Sequence, residues 1–500
     1  MKTFRHKFQR GFLITFSLLL LLFVVFGARP VFHITRAIWN DRDDAIQPPT
    51  GTANDVSRMN ETRVAEVWKI PDDSKSAEAQ LAELFQRAHA NHLKISIAGA
   101  RHSMGGHTIY PDGIVIDMLA FRRMELDETN SILHVQAGAR WNEVIPFLNA
   151  RGFSVEVMQS NDDFSIGGSV SVNCHGWQFN RPPIASTVRR FRLMLADGKI
   201  VRCSRMENGE LFSLVLGGYG LLGIILDVDL HVVPNRHYKV ERLVFGTEDY
   251  TATLAQATTR GDDVEMVYGR LRVTADCFLK EGILNIFHRE PGAGRVVTAL
   301  AAPKHRTLGR AIFRGSIGSN YGKQLRWEAE RNWYPVLFGE KFDRNALLDE
   351  PAVWFQEHGA NRTDILMECF VPPQEFEPFL KELRRIVPRN KVDLLNVTVR
   401  HIQRDDDTFL RFADKEMFAL VMLFNQPRTA QGDEDMAVAA REIISAALRH
   451  EGKYYLPYRL HATPEQFAQA YPQAKTFFEL KRKYDPDELF QNEFYRSYGK

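Results

Sequence analysis

The residues best placed to do chemistry lie between Lys94 and Met118, KISIAGARHSMGGHTIYPDGIVIDM. An alternating apolar run, Lys94 to Ala98, reads as a short strand, and a second strand follows at Gly113 to Met118. Between them stand Gly99, Ala100, Arg101, His102, Ser103, Met104, Gly105 and Gly106. Glycines let a backbone approach a ligand closely and turn its N–H groups toward an anion, so this loop can cradle a pyrophosphate. His102 and Ser103 sit in its middle, where a tight turn has no need of an imidazole. About sixty residues on comes a second small-residue stretch, Phe164 to Trp177, FSIGGSVSVNCHGW. It offers Ser165, Ile166, Gly167, Gly168, Ser169, Asn173, His175 and Gly176 to the same ligand. A third, Leu216 to Ile225, carries Gly220, Gly223 and Ile224.

The third stretch contains Gly218-Tyr-Gly220-Leu-Leu-Gly223, which matches the GxGxxG string of dinucleotide sites. That motif needs a strand before it and a helix after it. Here a helical pattern, Asn208–Leu216, precedes it and an apolar strand, Gly223–Val233, follows, so an NAD site is rejected.

The elements that must position these loops follow from periodicity. Arg63–Ile70 reads as a strand, and Ser74–Ala90 as a helix with Ala77, Leu81, Leu84, Phe85 and Ala88 on one face. Strands are expected at Ile132–Ala137 and in a hairpin at Phe191–Val201, and a helix at Trp141–Ala150. After Pro234 strands and helices recur as two βαβ-like halves: Tyr238–Phe245, Glu248–Thr258 and Val264–Val273, then Asp364–Val371, Pro373–Val387, Lys391–Ile402, Glu416–Asn425 and Glu434–His450. No βαβαβ run appears, which points to an antiparallel sheet backed by helices.

In order and spacing, GARHSMGG, IGGSVSVNCHG, LADGKIV and GGYGLLGII resemble the FAD-binding domain of the vanillyl-alcohol oxidase / p-cresol methylhydroxylase family. The likeness is close from Asn60 to Asn235. It implies an α+β protein with a two-part FAD-binding domain and a cap domain carrying an antiparallel sheet backed by helices. The divisions it implies are an N-terminal anchor or signal at 1–30, a linker at 31–58, the FAD-binding domain at 59–236, the substrate domain at 237–455, and a segment at 456–500 returning to the first domain. A His in the position of His102 is often joined covalently to the flavin in that family, so a covalent histidyl–FAD is expected. The cysteine some members use lies before the glycine pair; Cys174 lies after it and is read as a small buried residue.

On the substrate side Asn396, Thr398 and Arg400 share one face of a strand, opposite Leu395, Val397 and Val399. VRHIQRDDDTFL resembles a segment of polyol and sugar-lactone oxidases in which an Arg placed like Arg400 faces flavin and substrate. Those enzymes usually carry Glu two residues earlier, where this chain has Thr398. The stretch Tyr454 to His461 resembles the part of decaprenylphosphoryl-ribose and lactone oxidases that carries an active-site Lys or Tyr. No lysine matches, and Tyr458, Arg459 and His461 are the candidates. The implied activity is oxidation of a hydroxyl-bearing carbon of a polyol, sugar or lactone-like small molecule, with O2 or a redox partner as electron acceptor. The alternatives are a sterol-type C=C reductase or dehydrogenase, whose members lack the His-Ser pair, and a flavin-binding module without turnover.

The 500 residues carry a formal net charge of +2, which gives no reason to expect a nucleic-acid partner. The four cysteines stand singly, and no metal site is signalled. Lys2, Arg5, Lys7 and Arg10 precede an apolar run from Gly11 to Ala28, about 27 Å long as a helix, near the thickness of a bilayer's hydrocarbon. One transmembrane helix with the catalytic body on the non-cytoplasmic side is expected, a cleaved signal peptide and a secreted or periplasmic protein being the alternative. Pro303 to Trp327 carries Lys304, Arg306, Arg310, Arg314, Lys323 and Arg326 with no acid. It is read either as a segment lying on anionic lipid or as a solvated basic face.

Overall fold

The computed structural model describes Thr15 and residues 27–41, 44, 48–259, 261, 263–292, 294–300, 306–333 and 341–499. All but Thr15, Gly27 and Ala28 of the expected span from Phe12 to Ala28 lie outside the described residues, among which no helix is long and apolar enough to cross a membrane.

The first elements among the described residues are helix α1 (Ala28–Asn40) and a two-stranded ribbon, β1 (Thr52–Ala53) with β2 (Thr62–Arg63). The strand expected over Arg63–Ile70 divides: β2 pairs with β1, while β3 (Glu66–Lys69) joins a parallel sheet with β5 (Ile114–Asp117) and β4 (Ile95–Ala98). Helix α2 (Ser74–Ala90) makes the crossover between β3 and β4. Asp73 caps it, its carboxylate accepting from the Ser76 amide at 2.8 Å, and Ala77, Leu81, Leu84, Phe85 and Ala88 are its buried face. Burial of each large side chain there contributes on the order of 1.5–3 kcal/mol.

Next come β6 (Met124–Asp127), β7 (Ile132–Gln136), helix α3 (Trp141–Asn149), β8 (Phe153–Val155), the short helix α4 (Ile166–Ser171), the hairpin β9 (Val188–Met194) with β10 (Ile200–Ser204), helix α5 (Gly209–Val215) and β11 (Ile224–Pro234). They form a sheet ordered β10-β9-β11-β7-β6, with β8 also on β11. Beyond Pro234 lies an eight-stranded sheet, ordered β15-β12-β14-β13-β17-β18-β16-β19 and antiparallel throughout. Its strands are β12 (His237–Gly246), β13 (Val264–Leu271), β14 (Glu281–Arg289), β15 (Lys341–Asp343), β16 (Arg362–Val371), β17 (Asp393–Ile402), β18 (Met417–Pro427) and β19 (Lys453–Tyr454). Helices at Tyr250–Thr258, Phe376–Asn390 and Ala430–Arg449 bury their apolar residues with it, as in the packing of Tyr250 against Phe376 and Phe418.

Near the C-terminus the chain returns to the parallel sheet. Ile95 donates its amide to the Leu489 carbonyl, and Gln491 donates to the Ile95 carbonyl at 2.9 Å. Asn492 Nδ2 donates to the carbonyls of His107 and Tyr219, pinning two of the glycine-rich loops.

From Arg306 on, most cations of the basic stretch are paired within the protein rather than solvated, and Lys304 lies outside the described residues. The stretch folds as two helices, Arg306–Arg314 and Asn320–Glu328, where Arg310, Arg314 and Lys323 meet acids from other parts of the chain. Arg310 pairs with Asp41 at 2.6 Å, Arg314 with Asp364 at 2.8 Å and with Glu357, and Lys323 with Asp393 at 2.8 Å. Arg326 pairs with Glu330 at 2.8 Å, and Arg306 lies over the Trp354 ring. Its local sequence lacks acids because the fold supplies them from a distance.

Candidate active site

A cavity of about 1240 Å³ lies between the glycine-rich loops and the open face of the eight-stranded sheet. Its floor is set by β4, which ends at Ala98 and releases the Gly99–Gly106 loop. Arg101 holds a left-handed φ of 57° in that loop. Gly99 makes room for Ser165: a Cβ there would stand 1.9 Å from Ser165 Oγ and would have to displace it. That oxygen accepts the Ala100 amide at 3.3 Å, tying the first loop to the start of α4.

His102 is nearly immobilised. Its ring stacks on Phe164, centroids 3.9 Å apart at 15°, and Nε2 lies 3.8 Å from an Asp163 carboxylate oxygen. Burial lowers its pKa against the opposing pull of Asp163, so the imidazole is neutral at neutral pH, the form in which its nitrogen is a nucleophile. The hydroxyls of Ser103 and Thr108 line the cavity, buried and without a protein hydrogen-bond partner. Buried hydroxyls are rarely left unpaired, so these two fit a ligand that supplies polar atoms, as the phosphates or ring edge of FAD would.

Of the residues the sequence assigned to the cofactor, Gly99, Ala100, Arg101, His102, Ser103, Ser165, Gly167, Gly168, Ser169, His175, Gly220 and Gly223 line the cavity. The others stand behind it. Gly105 abuts the Tyr458 carbonyl, and the Gly106 amide donates to Asp55 at 2.9 Å. Ile166 and Ile224 are core residues, and Gly176 packs against the Met158 carbonyl. Asn173 Nδ2 donates to Asp405 at 2.9 Å, and its Oδ1 accepts the Ala185 amide. Cys174 is buried on the wall, and burial pushes its thiol up to about 12, so it is inert. The Gly218–Gly223 stretch lies between α5 and β11, the reverse of a dinucleotide motif.

The opposite wall is the sheet. Val397 and Val399 are fully buried on its far side, while Asn396, Thr398 and Arg400 line the cavity. Arg400 is held from both hands, Nη1 donating to the His175 carbonyl at 3.1 Å and Nη2 to Ser160 Oγ at 2.5 Å. Tyr458 also reaches the wall, where burial beside Glu368 raises its pKa well above the ordinary value. His461 does not. It and Arg459 turn away to share Asp433, at 3.2 and 2.7 Å.

Two groups on this wall escape sequence reasoning. Glu368, 1% exposed, stands with Oε1 2.7 Å from His175 Nε2, and Tyr458 Oη donates to its Oε2 at 3.4 Å. Its signal was a lone carboxylate in an apolar strand, LMECF. Further along, Arg270 donates to Thr398 Oγ1 at 2.8 Å, and Arg326 to Asn396 Oδ1 at 2.9 Å. Glu330 joins both guanidiniums: burial alone would raise its pKa, but Arg270 and Arg326 pull it down to about 2.

A family model described as FAD binding domain matches residues 76–204. L-gulonolactone oxidase of Mus musculus is 27% identical over 159 residues, 32% of this chain and 36% of that protein. The mitochondrial L-galactono-1,4-lactone dehydrogenase of Arabidopsis thaliana is 30% identical over 163 residues, 33% of this chain and 27% of that one. The match thus spans about a third of those two relatives. L-gulono-1,4-lactone dehydrogenase of Mycobacterium tuberculosis is 22% identical over 435 residues, 84% of this chain and 94% of that one. With the glycine-rich loops assembled on one cavity and the domain match across them, the chain carries an FAD-binding domain and is similar to FAD-linked oxidoreductases of the sugar-lactone oxidase kind.

Proposed function

We propose that the protein is an FAD-dependent oxidase or dehydrogenase acting on a hydroxyl-bearing carbon of a polyol, sugar or sugar-lactone-like molecule. The observation that carries this is the facing of two walls across one cavity: the His102 loop on one side, and Asn396, Thr398, Arg400 and Tyr458 on the other. Relatives named as lactone oxidases and dehydrogenases support the substrate class. FAD, when bound, accepts the two electrons of the C–H bond. Ser103 and Thr108 would hold it by their hydroxyls, and the neutral imidazole of His102 would carry a covalent bond to it. Arg400, fixed by the His175 carbonyl and Ser160, stabilises the negative charge that develops as the substrate hydroxyl gives up its proton. O2 or a redox partner would serve as the electron acceptor.

The covalent bond is tested by acid precipitation. The protein should keep its yellow flavin in the pellet, a tryptic peptide containing His102 should carry the mass of FAD, and His102→Ala should release the flavin. Flavin found wholly in the acid supernatant would refute the bond and favour the sterol-type reductase.

The same reading places the body on the non-cytoplasmic side of a membrane, tethered by the apolar run from Gly11 to Ala28. Support comes from α1, which follows that run in the sequence. One side packs on the basic helices, His33 Nε2 meeting the Gly315 carbonyl at 2.9 Å, while Phe32 and Trp39 on the other are 70% and 84% exposed. An aromatic, amphipathic helix following an apolar run suits the bilayer interface. Recovery of a soluble protein lacking the apolar run would show a signal peptide instead.

A further inference from the structure

The carboxylate that lactone oxidases place two residues before their arginine is Thr398 here, yet the wall is not without one. On β17 and β18 Thr398 pairs with Val421, and on β18 and β16 Val421 pairs with Glu368. On the other side Thr398 pairs with Arg270 of β13. Directly opposed residues of an antiparallel sheet share a face. Arg270, Thr398, Val421 and Glu368 therefore form one row, and all four line the cavity. Glu368 stands two strands from Thr398, roughly 10 Å at ordinary strand spacing.

The two ends of this row differ in charge. At one end Arg270 is already engaged by Glu330 and the Thr398 hydroxyl. At the other, Glu368 is buried, and among the described residues its side chain meets His175 and Tyr458 and makes no ion pair with a lysine or arginine. His175 Nε2 faces it from the turn after α4, and Tyr458 and Tyr455 from the segment after β19, and the charge of Arg400 on β17 acts on His175 and Tyr458. Burial disfavours the imidazolium form of His175, an effect Glu368 opposes. Glu368 and His175 both line the cavity, where a substrate hydroxyl can reach the carboxylate.

We infer that Glu368, partnered by His175, takes the hydroxyl proton of the substrate. This rests on the reading above. As the substrate carbon gives its hydrogen and electron pair to FAD, the O–H bond breaks, the proton passes to Glu368 Oε, and the carbon–oxygen bond becomes C=O. The reacting carbinol then sits at the Glu368 end of the row, and the Arg270–Glu330 end takes the remaining hydroxyls of the substrate.

The test uses the FAD-loaded full chain and Glu368→Gln, with Glu368→Asp as a second variant. Glu368→Gln should keep its FAD content and lower anaerobic flavin reduction by D-sorbitol or L-gulono-1,4-lactone at least about 100-fold at pH 7, the usual worth of a general base. Its rate should rise with pH without the wild-type inflection, and Glu368→Asp should recover part of both. Without FAD, NMR of the His175 imidazole should show a protonation midpoint in the wild type that is lower in Glu368→Gln. A wild type reduced by these donors, with Glu368→Gln giving an unchanged pH profile and an unchanged His175 midpoint, would overturn the assignment and leave the oxidase reading standing. A wild type that no hydroxyl donor reduces would overturn the oxidase reading itself.

Discussion

Lys481 and Asp485 are both 0% exposed and lie 2.6 Å apart, one helical turn from each other. The same carboxylate accepts the amides of Leu489 at 2.8 Å and Phe490 at 2.9 Å, closing the turn that delivers Leu489 and Gln491 to Ile95. Burial pushes the Lys481 pKa down, and Asp485 opposes that shift. Lys481→Met keeps the volume and leaves the carboxylate charged in a site closed to water, which costs about 3–5 kcal/mol. For a cooperative unit of 150–250 residues this lowers Tm by roughly 6–20 °C. Adding Asp485→Asn removes the stranded charge and keeps an acceptor for one amide, so the double variant should regain about half of the loss. Thermal melts of the FAD-free protein, followed by circular dichroism, measure both. Because the turn anchors β4 and its loop, Lys481→Met should also weaken FAD uptake. A Tm within 2 °C of wild type, or a double variant no more stable than the single, would refute the view that this pair secures the loop.

Other outcomes follow from the same geometry. His107 is buried, and burial lowers its pKa to about 3 against the opposing pull of the Leu456 carbonyl. The unfolded chain, with a His pKa near about 6.5, binds the proton first. Stability is therefore full above about pH 6.5 and falls toward pH 3, by about 1.4 kcal/mol per unit. His107→Phe should flatten urea-denaturation stability between about pH 6 and pH 5, where most carboxylates remain ionised, and an unchanged slope would contradict the burial. Gly99→Ala must displace the Ser165 hydroxyl, 1.9 Å from the new Cβ, and should weaken FAD binding at least tenfold, about 1.4 kcal/mol, by fluorescence titration, with Ser165→Gly restoring part of it. Arg400→Ala should slow flavin reduction about 100-fold with FAD content intact, more than Val399→Thr does; the reverse order would mean the strand register is wrong.

What could be read from the sequence was what depends on neighbours along the chain. The Ser74–Ala90 helix showed in its apolar spacing, the alternation of Asn396, Thr398 and Arg400 in a period of two, and the Gly99–Gly106 loop in its composition. What stayed hidden depends on register between distant strands. Nothing near Glu368 in the sequence points to Thr398, yet Val421 places them in one row. The charges of Arg310 and Arg314 looked unpaired because Asp41, Glu357 and Asp364 come from remote segments. His461 misled for the opposite reason: it is close in sequence to Tyr458, but the chain turns between them and gives it to Asp433.

An anaerobic titration of the purified full chain with polyols, sugars, sugar lactones and sterols, with the visible flavin absorbance recorded, tests the proposed oxidation directly. The protein should be yellow, and a polyol, sugar or lactone should bleach it stoichiometrically, with sterols inert. A protein that takes up no FAD, or whose flavin none of the hydroxyl donors bleaches, would contradict the account.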